Sequence, residues 1–207
     1  MPKQTFLSLP EDKRNTLIQA AKKEFSRVPL HEASIANIIK DAGIPRGSFY
    51  QYFEDKEDLY YFLLNQLAQE NNKKMIAILQ EKKGNLFESL VEQFRYMISL
   101  RNDEEHKDFF RYAFLNMNHR KENTMANNIY KESLKNERSQ TLELVDISYL
   151  NIEDKQELSH VIRIVGAITF HNLVQVFVHD LTDEEAISNY ETQISLVKKG
   201  LQKEGVD

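Results

Sequence analysis

Apolar residues recur at spacings of three and four along most of this chain and seldom alternate with polar ones, a period that belongs to helices, and no stretch reads as a strand. Leu17, Ile18, Ala21 and Phe25 share one face, and Ser8-Leu9-Pro10-Glu11 before them has the form of a capping box. Together they predict a helix from about 9 to 26, stopped by Pro29. Ser34 is placed to cap a short helix over 35–42, and Gly43 follows where a left-handed residue ends one. Pro45 suits the first turn of a helix of about two turns before Phe53. Asp55 caps a fourth, with Glu57 and Asp58 complementing its dipole, and it runs to about Lys83. Further helices are predicted over about 86–101, 104–118, 123–145 and 153–180, and a second capping box, Thr182-Asp183-Glu184-Glu185, opens the last, to about Gln202. The expected fold is all-α, about nine helices: a three-helix module over 1–54, then a helical body over 55–207.

Two patterns in the body bear on assembly. The helix over 153–180 is apolar nearly all round, from Val161 and Ile164 to Phe170 and Phe177, and such a helix needs partners on every side. A second copy would cover what one subunit leaves bare, and a monomer core is the other solution. In the last helix Ile187, Tyr190, Ile194, Val197 and Leu201 make a seam suited to coiled-coil-like packing, the expected dimer interface. The apolar run Val161–Val178 is broken by Arg163, Thr169, His171, Asn172 and Gln175, so it reads as a buried helix and no membrane partner is expected.

Composition narrows the chemistry. There is no cysteine, which removes disulfides and thiolate chemistry and fits a reducing cytoplasm, and the amino terminus shows no apolar run of signal-peptide length. Six histidines are scattered at 31, 106, 119, 160, 171 and 179 without a third ligand near any pair, so neither a metal nor another cofactor is expected. No Gly-rich phosphate loop, G-x-S-x-G or H-E-x-x-H pattern is present, and an enzyme is not expected. The net charge of −5 argues against nucleic acid until it is divided. Residues 1–53 carry eight Lys/Arg against five Asp/Glu, which gives +3 and leaves −8 for the remainder. A basic head on an acidic body suits a small DNA-binding module joined to a domain with another task.

Within the head, two short helices flank Ala42-Gly43-Ile44-Pro45 over residues 34–53. That is the form of a helix-turn-helix, though also of a plain helical hairpin. Arg46, Gly47, Ser48, Tyr50, Tyr52 and Lys56 crowd into eleven residues, and these types contact phosphates and base edges. The stretch resembles the tetracycline-repressor (TetR) family, whose pattern runs roughly Thr-x-x-x-Ile-Ala-x-x-Ala-Gly-Val-Ser-x-Gly-Thr-Leu-Tyr-x-His/Tyr-Phe-x-x-Lys-Glu-x-Leu. In register stand Ser34, Ile38, Ala42, Gly43, Ile44, Gly47, Ser48, Phe49, Tyr50, Tyr52, Phe53, Lys56, Glu57 and Leu59. Ile39 replaces the usual alanine and Pro45 the usual serine. The likeness covers about 50 residues; the rest resembles the family in length and helical layout.

The resemblance implies that Ser34 and the amides after it hold a phosphate, that Arg46, Gly47 and Ser48 face base edges, that Tyr50 and Tyr52 touch backbone or a thymine methyl, and that Lys56 clamps a phosphate. For Tyr52, core packing is an equal alternative. It also implies a homodimer through the last two helices and an effector cavity among the central ones. Aromatic and methionine side chains there suit an adaptable apolar pocket. Phe94, Met97, Phe110, Phe114, Met117 and Phe170 are candidates for its wall, with His171, Asn172 and Gln175 to orient a ligand. The expected function is a ligand-responsive transcriptional regulator, most simply a repressor released from operator DNA by a small lipophilic effector. The alternative is a helical protein–protein adaptor with a degenerate helix-turn-helix.

Overall fold

The computed structural model describes residues 2–100, 108–113, 141–179 and 181–201. They form α1 (Gln4–Leu7), α2 (Glu11–Arg27), α3 (Ile35–Ala42), α4 (Arg46–Tyr52), α5 (Lys56–Glu81), α6 (Leu86–Ser99), α7 (Lys155–His179) and α8 (Asp183–Leu201), with no strand among the described residues. Residues 108–113 and 141–144 are helical too. The fold is all-α, as the periodicity requires. Most of the helices expected over 104–118 and 123–145 lies outside the described residues.

Local chemistry explains where the helices begin and end. Ser8 does not cap α2. Its amide and its Oγ both donate to Gln4 O, at 3.0 and 2.9 Å, closing the short α1 that periodicity could not show. Pro10 stands at the start of α2, where a missing N–H is harmless. Asp55 Oδ1 accepts the Asp58 amide at 2.7 Å at the head of α5. After α5 the chain turns through Lys83 and Gly84, both at positive φ. A Cβ on Gly84 would lie 2.7 Å from both Asp146 N and Leu144 O, so that turn requires glycine for its conformation and for its neighbours. The second capping box forms as expected: Thr182 Oγ1 accepts the Glu185 amide and Glu185 Oε2 accepts the Thr182 amide, each at 3.3 Å.

The chain divides into two compact units, Met1–Ala68 with Asp103–Lys131, and Gln69–Asn102 with Glu132–Asp207. The division falls inside α5 rather than at the expected 54/55, because Leu59, Tyr60 and Leu63 of α5, with Phe109, are buried in the amino-terminal core beside Phe25, Ile38, Phe49 and Phe53.

In the second unit α6, α7 and α8 pack on one another. α7 buries Leu158, Val161, Val165, Leu173, Val176 and Phe177. From α8, Ala186, Tyr190 and Ile194 are buried. The Tyr190 ring stacks on Phe94 at 4.0 Å, and its hydroxyl shares a 2.7 Å hydrogen bond with Thr169 Oγ1. Burial raises the Tyr190 pKa to about 12, against the lowering effect of that bond. Tyr190 and Ile194, expected in a seam toward another subunit, are thus buried within their own. Ile187 and Val197 are half-buried, and the Leu201 side chain lies outside the described residues. What remains bare is Ile164, 51% exposed, Phe170, 38%, and Leu196, 63%. By length and composition α7 could cross a membrane, and 33% of its most apolar stretch is buried in the protein.

Candidate nucleic-acid interface

α3 is strongly amphipathic, with Ile38 fully buried, and its end follows from sequence. Gly43 adopts φ 65°, its amide donates to Lys40 O at 3.2 Å, and the Ile44 amide donates back to Ile39 O at 3.0 Å. This paired closure satisfies two end carbonyls and reverses the chain into α4. In α4, Phe49 is fully buried and Phe53 just beyond it likewise. Arg46, Gly47, Tyr50 and Gln51 are exposed, Ser48 and Tyr52 half-buried. The outward side thus carries one guanidinium, one phenol, one amide and a bare stretch of backbone, all able to read a groove. Gln51 was not anticipated; it lies one turn after Gly47, which was.

Two expected phosphate ligands make bonds within the protein. The Ser34 amide donates to Glu24 Oε1 at 2.8 Å, and its hydroxyl makes no capping bond. Lys56 Nζ donates to His31 O at 2.9 Å and Ala33 O at 3.0 Å, so it holds the loop that leads into α3. Glu24, 5% exposed, ties α2 to α3, accepting from Arg27 Nε and Nη2 at 3.0 and 2.8 Å and from Asn37 Nδ2 at 3.1 Å besides Ser34. Burial pushes its carboxyl pKa up, but those hydrogen bonds and the Arg27 charge together hold it below the ordinary value. Tyr52 lies 6.2 Å from the Phe6 ring, which favours packing for that residue.

Residues 85–201, more than half of the chain, match the family described as Tetracyclin repressor-like, C-terminal domain. The chain belongs to the TetR family. Residues 17–61 match that family's description Bacterial regulatory proteins, tetR family, so the chain is a TetR-family transcriptional regulator. It is 34% identical over 70 residues to the uncharacterized HTH-type transcriptional regulator YdgC of Bacillus subtilis (strain 168), covering 34% of this chain and 36% of that one. It is 38% identical over 56 residues to the HTH-type transcriptional regulator HbdR of Aromatoleum sp. (strain CIB), covering 27% and 24%. The chain thus spans about a third or less of the length of these curated relatives.

Similar solved structures include the transcriptional regulator FadR from Bacillus subtilis in complex with stearoyl-CoA, with TM-score 0.68 at 17% identity over 90% of this chain and 98% of that one. SmeT, the repressor of the Stenotrophomonas maltophilia multidrug efflux pump SmeDEF, gives TM-score 0.66 at 14% identity over 98% and 95%. At such identities the likeness is one of fold.

The expected effector residues of this TetR-family chain are scattered. Phe94 is buried against Tyr190, Met97 and Gln175 are half-buried, and Phe170 and His171 are exposed on α7. Phe110 is buried and belongs to the first unit, the others to the second. Phe114 and Met117 lie outside the described residues. Asn172 is the buried polar group of α7, its Nδ2 donating to Ile168 O and to Gln193 Oε1, each at 2.8 Å. A groove of about 350 Å³ between α6 and α8, lined by Phe87, Val91, Arg95, Glu191, Ile194 and Lys198 among others, includes none of the expected pocket residues.

Proposed function

We propose that this regulator is a homodimeric repressor that presents α4 to the major groove of operator DNA and is released by a small lipophilic effector held in the carboxy-terminal helices. The observation that carries the DNA reading is the two-sidedness of α4. Phe49 and Phe53 are buried in the amino-terminal core, while Arg46, Gly47 and Tyr50 face solvent. Arg46 is the group suited to bidentate recognition of guanine, with Ser48 and Gln51 beside it. Ser34 and Lys56 act from behind, by fixing the start of α3.

The dimer is proposed through the bare side of α7, where Arg163, Ile164, Gly166, Ala167, Phe170 and His171 are exposed along one face, together with Leu196 of α8. An apolar face of this extent needs cover, and a second copy supplies its like. Amphipathic ligands are the effector class, since an apolar cavity with few polar anchors selects them. The stearoyl-CoA bound by the structurally similar FadR is of that kind.

The test is fluorescence anisotropy on DNA from upstream of the gene, with Arg46→Ala beside the parent chain. Arg46→Ala is expected to lose roughly 1–3 kcal/mol of specific binding and to relax preference at one base pair per half-site. Amphipathic compounds that raise the melting temperature should weaken operator binding, and operator DNA should weaken theirs by the same factor. No rise in anisotropy on any upstream DNA would leave the adaptor reading in place. Stabilising compounds without effect on DNA would remove the sensing role.

A further inference from the structure

A helix leaves its last carbonyls without partners in its own ladder, and at seven residues α4 is too short to stand unsupported. Yet each of its last four carbonyls is occupied. Phe49 O accepts the Phe53 amide at 2.9 Å. The other three are met by the beginning of the chain: Tyr52 O accepts the Lys3 amide at 2.8 Å, Tyr50 O accepts Lys3 Nζ at 2.8 Å, and Gln51 O accepts Thr5 Oγ1. The Lys3 ammonium thereby stands at the negative end of the α4 dipole. Phe6, 1% exposed, anchors the arrangement, its ring 4.8 Å from Phe53 and 5.4 Å from Phe62. All of these residues belong to the first unit.

We infer that Lys3 and Thr5 are positioning residues for operator recognition: the segment 3–6 is an external cap that fixes the angle at which α4 offers Tyr50 and Gln51. Both side chains act through the backbone of α4, and neither needs to touch DNA. The inference rests on the reading of α4 as the helix that enters the groove.

The full-length protein tests it with two substitutions. Thr5→Val keeps the side-chain shape and the charge while removing the hydroxyl. Lys3→Met removes the ammonium and keeps the amide. Each is expected to weaken binding to the operator about three- to tenfold, the effect of one lost hydrogen bond, at a temperature where circular dichroism shows the chain fully folded. Binding to random duplex and the dependence of affinity on salt should not change. Thr5→Ser should restore the operator affinity, and amide exchange over residues 49–53 should quicken in Thr5→Val.

If Lys3→Met weakens random and operator duplex alike and reduces the salt slope by about one, Lys3 is a phosphate contact and the inference is overturned. If Thr5→Val binds operator like the parent chain while Arg46→Ala does not, the cap is inert and the inference is again overturned. If Arg46→Ala also binds like the parent, the reading of α4 itself has failed.

Discussion

A glycine in the first turn of α4 weakens a helix of two turns, and nothing among the described residues asks for it. Its φ is not positive, and a Cβ there would meet no atom within 4 Å. In the proposed DNA reading, bare backbone there lets a partner come close. Gly47→Ala should therefore stabilise the fold by up to about 1 kcal/mol and still bind operator less well. Thermal melting and anisotropy read the two effects separately, and an alanine chain binding as tightly as the parent would show that no surface needs that space. Glu24 works from the inside. Because its native pKa lies below the ordinary 4.5, the ionised carboxylate contributes stability above that pH, and the contribution is lost as acid carries the pH below it and through the native value. Glu24→Gln should cost about 1–3 kcal/mol at neutral pH, by leaving Arg27 and the Ser34 amide poorly paired. Its denaturant midpoint should also fall less than the parent's across the acid window. Equal declines would assign that window to other carboxylates.

Among the elements, α8 separates what sequence shows from what it hides. The spacing of Tyr190 and Ile194 marks an apolar face correctly, but spacing says nothing of what covers it, and α6 does. Ile194→Glu should thus destabilise the subunit rather than split a dimer, since it puts a carboxylate at a 2% exposed apolar position. Leu196→Glu, on the bare side, should leave a folded chain that sediments as a monomer; a folded dimer would move the interface elsewhere. The limits of α3 and α4 were legible because Gly43, Pro45 and Phe53 each have one physical use there. α1 was not, since four residues hold no period and its bonds run to residues 46 and 47 positions away. Ser34 and Lys56 show what residue type hides: a donor suited to phosphate is equally suited to the chain's own carboxylate or carbonyls, and both residues make such internal bonds.

At the scale of the molecule, a head of +3 and a body of −8 belong to one chain, and the head alone has reason to meet a polyanion. The body bears a different obligation. If the proposed dimer forms, a chain that has just left the ribosome carries Ile164, Phe170 and Leu196 uncovered until it meets a second copy. Pairing follows mass action, so below the dimer's dissociation constant most copies keep that surface open to chaperones and proteases. Scarcity then feeds on itself: as synthesis slows, the survivors are degraded faster, and control of the target genes should collapse over a narrow range of copy number. A pulse-chase at graded expression should find the half-life lengthening as copies accumulate. A half-life indifferent to copy number would mean that this face is covered from the moment of folding.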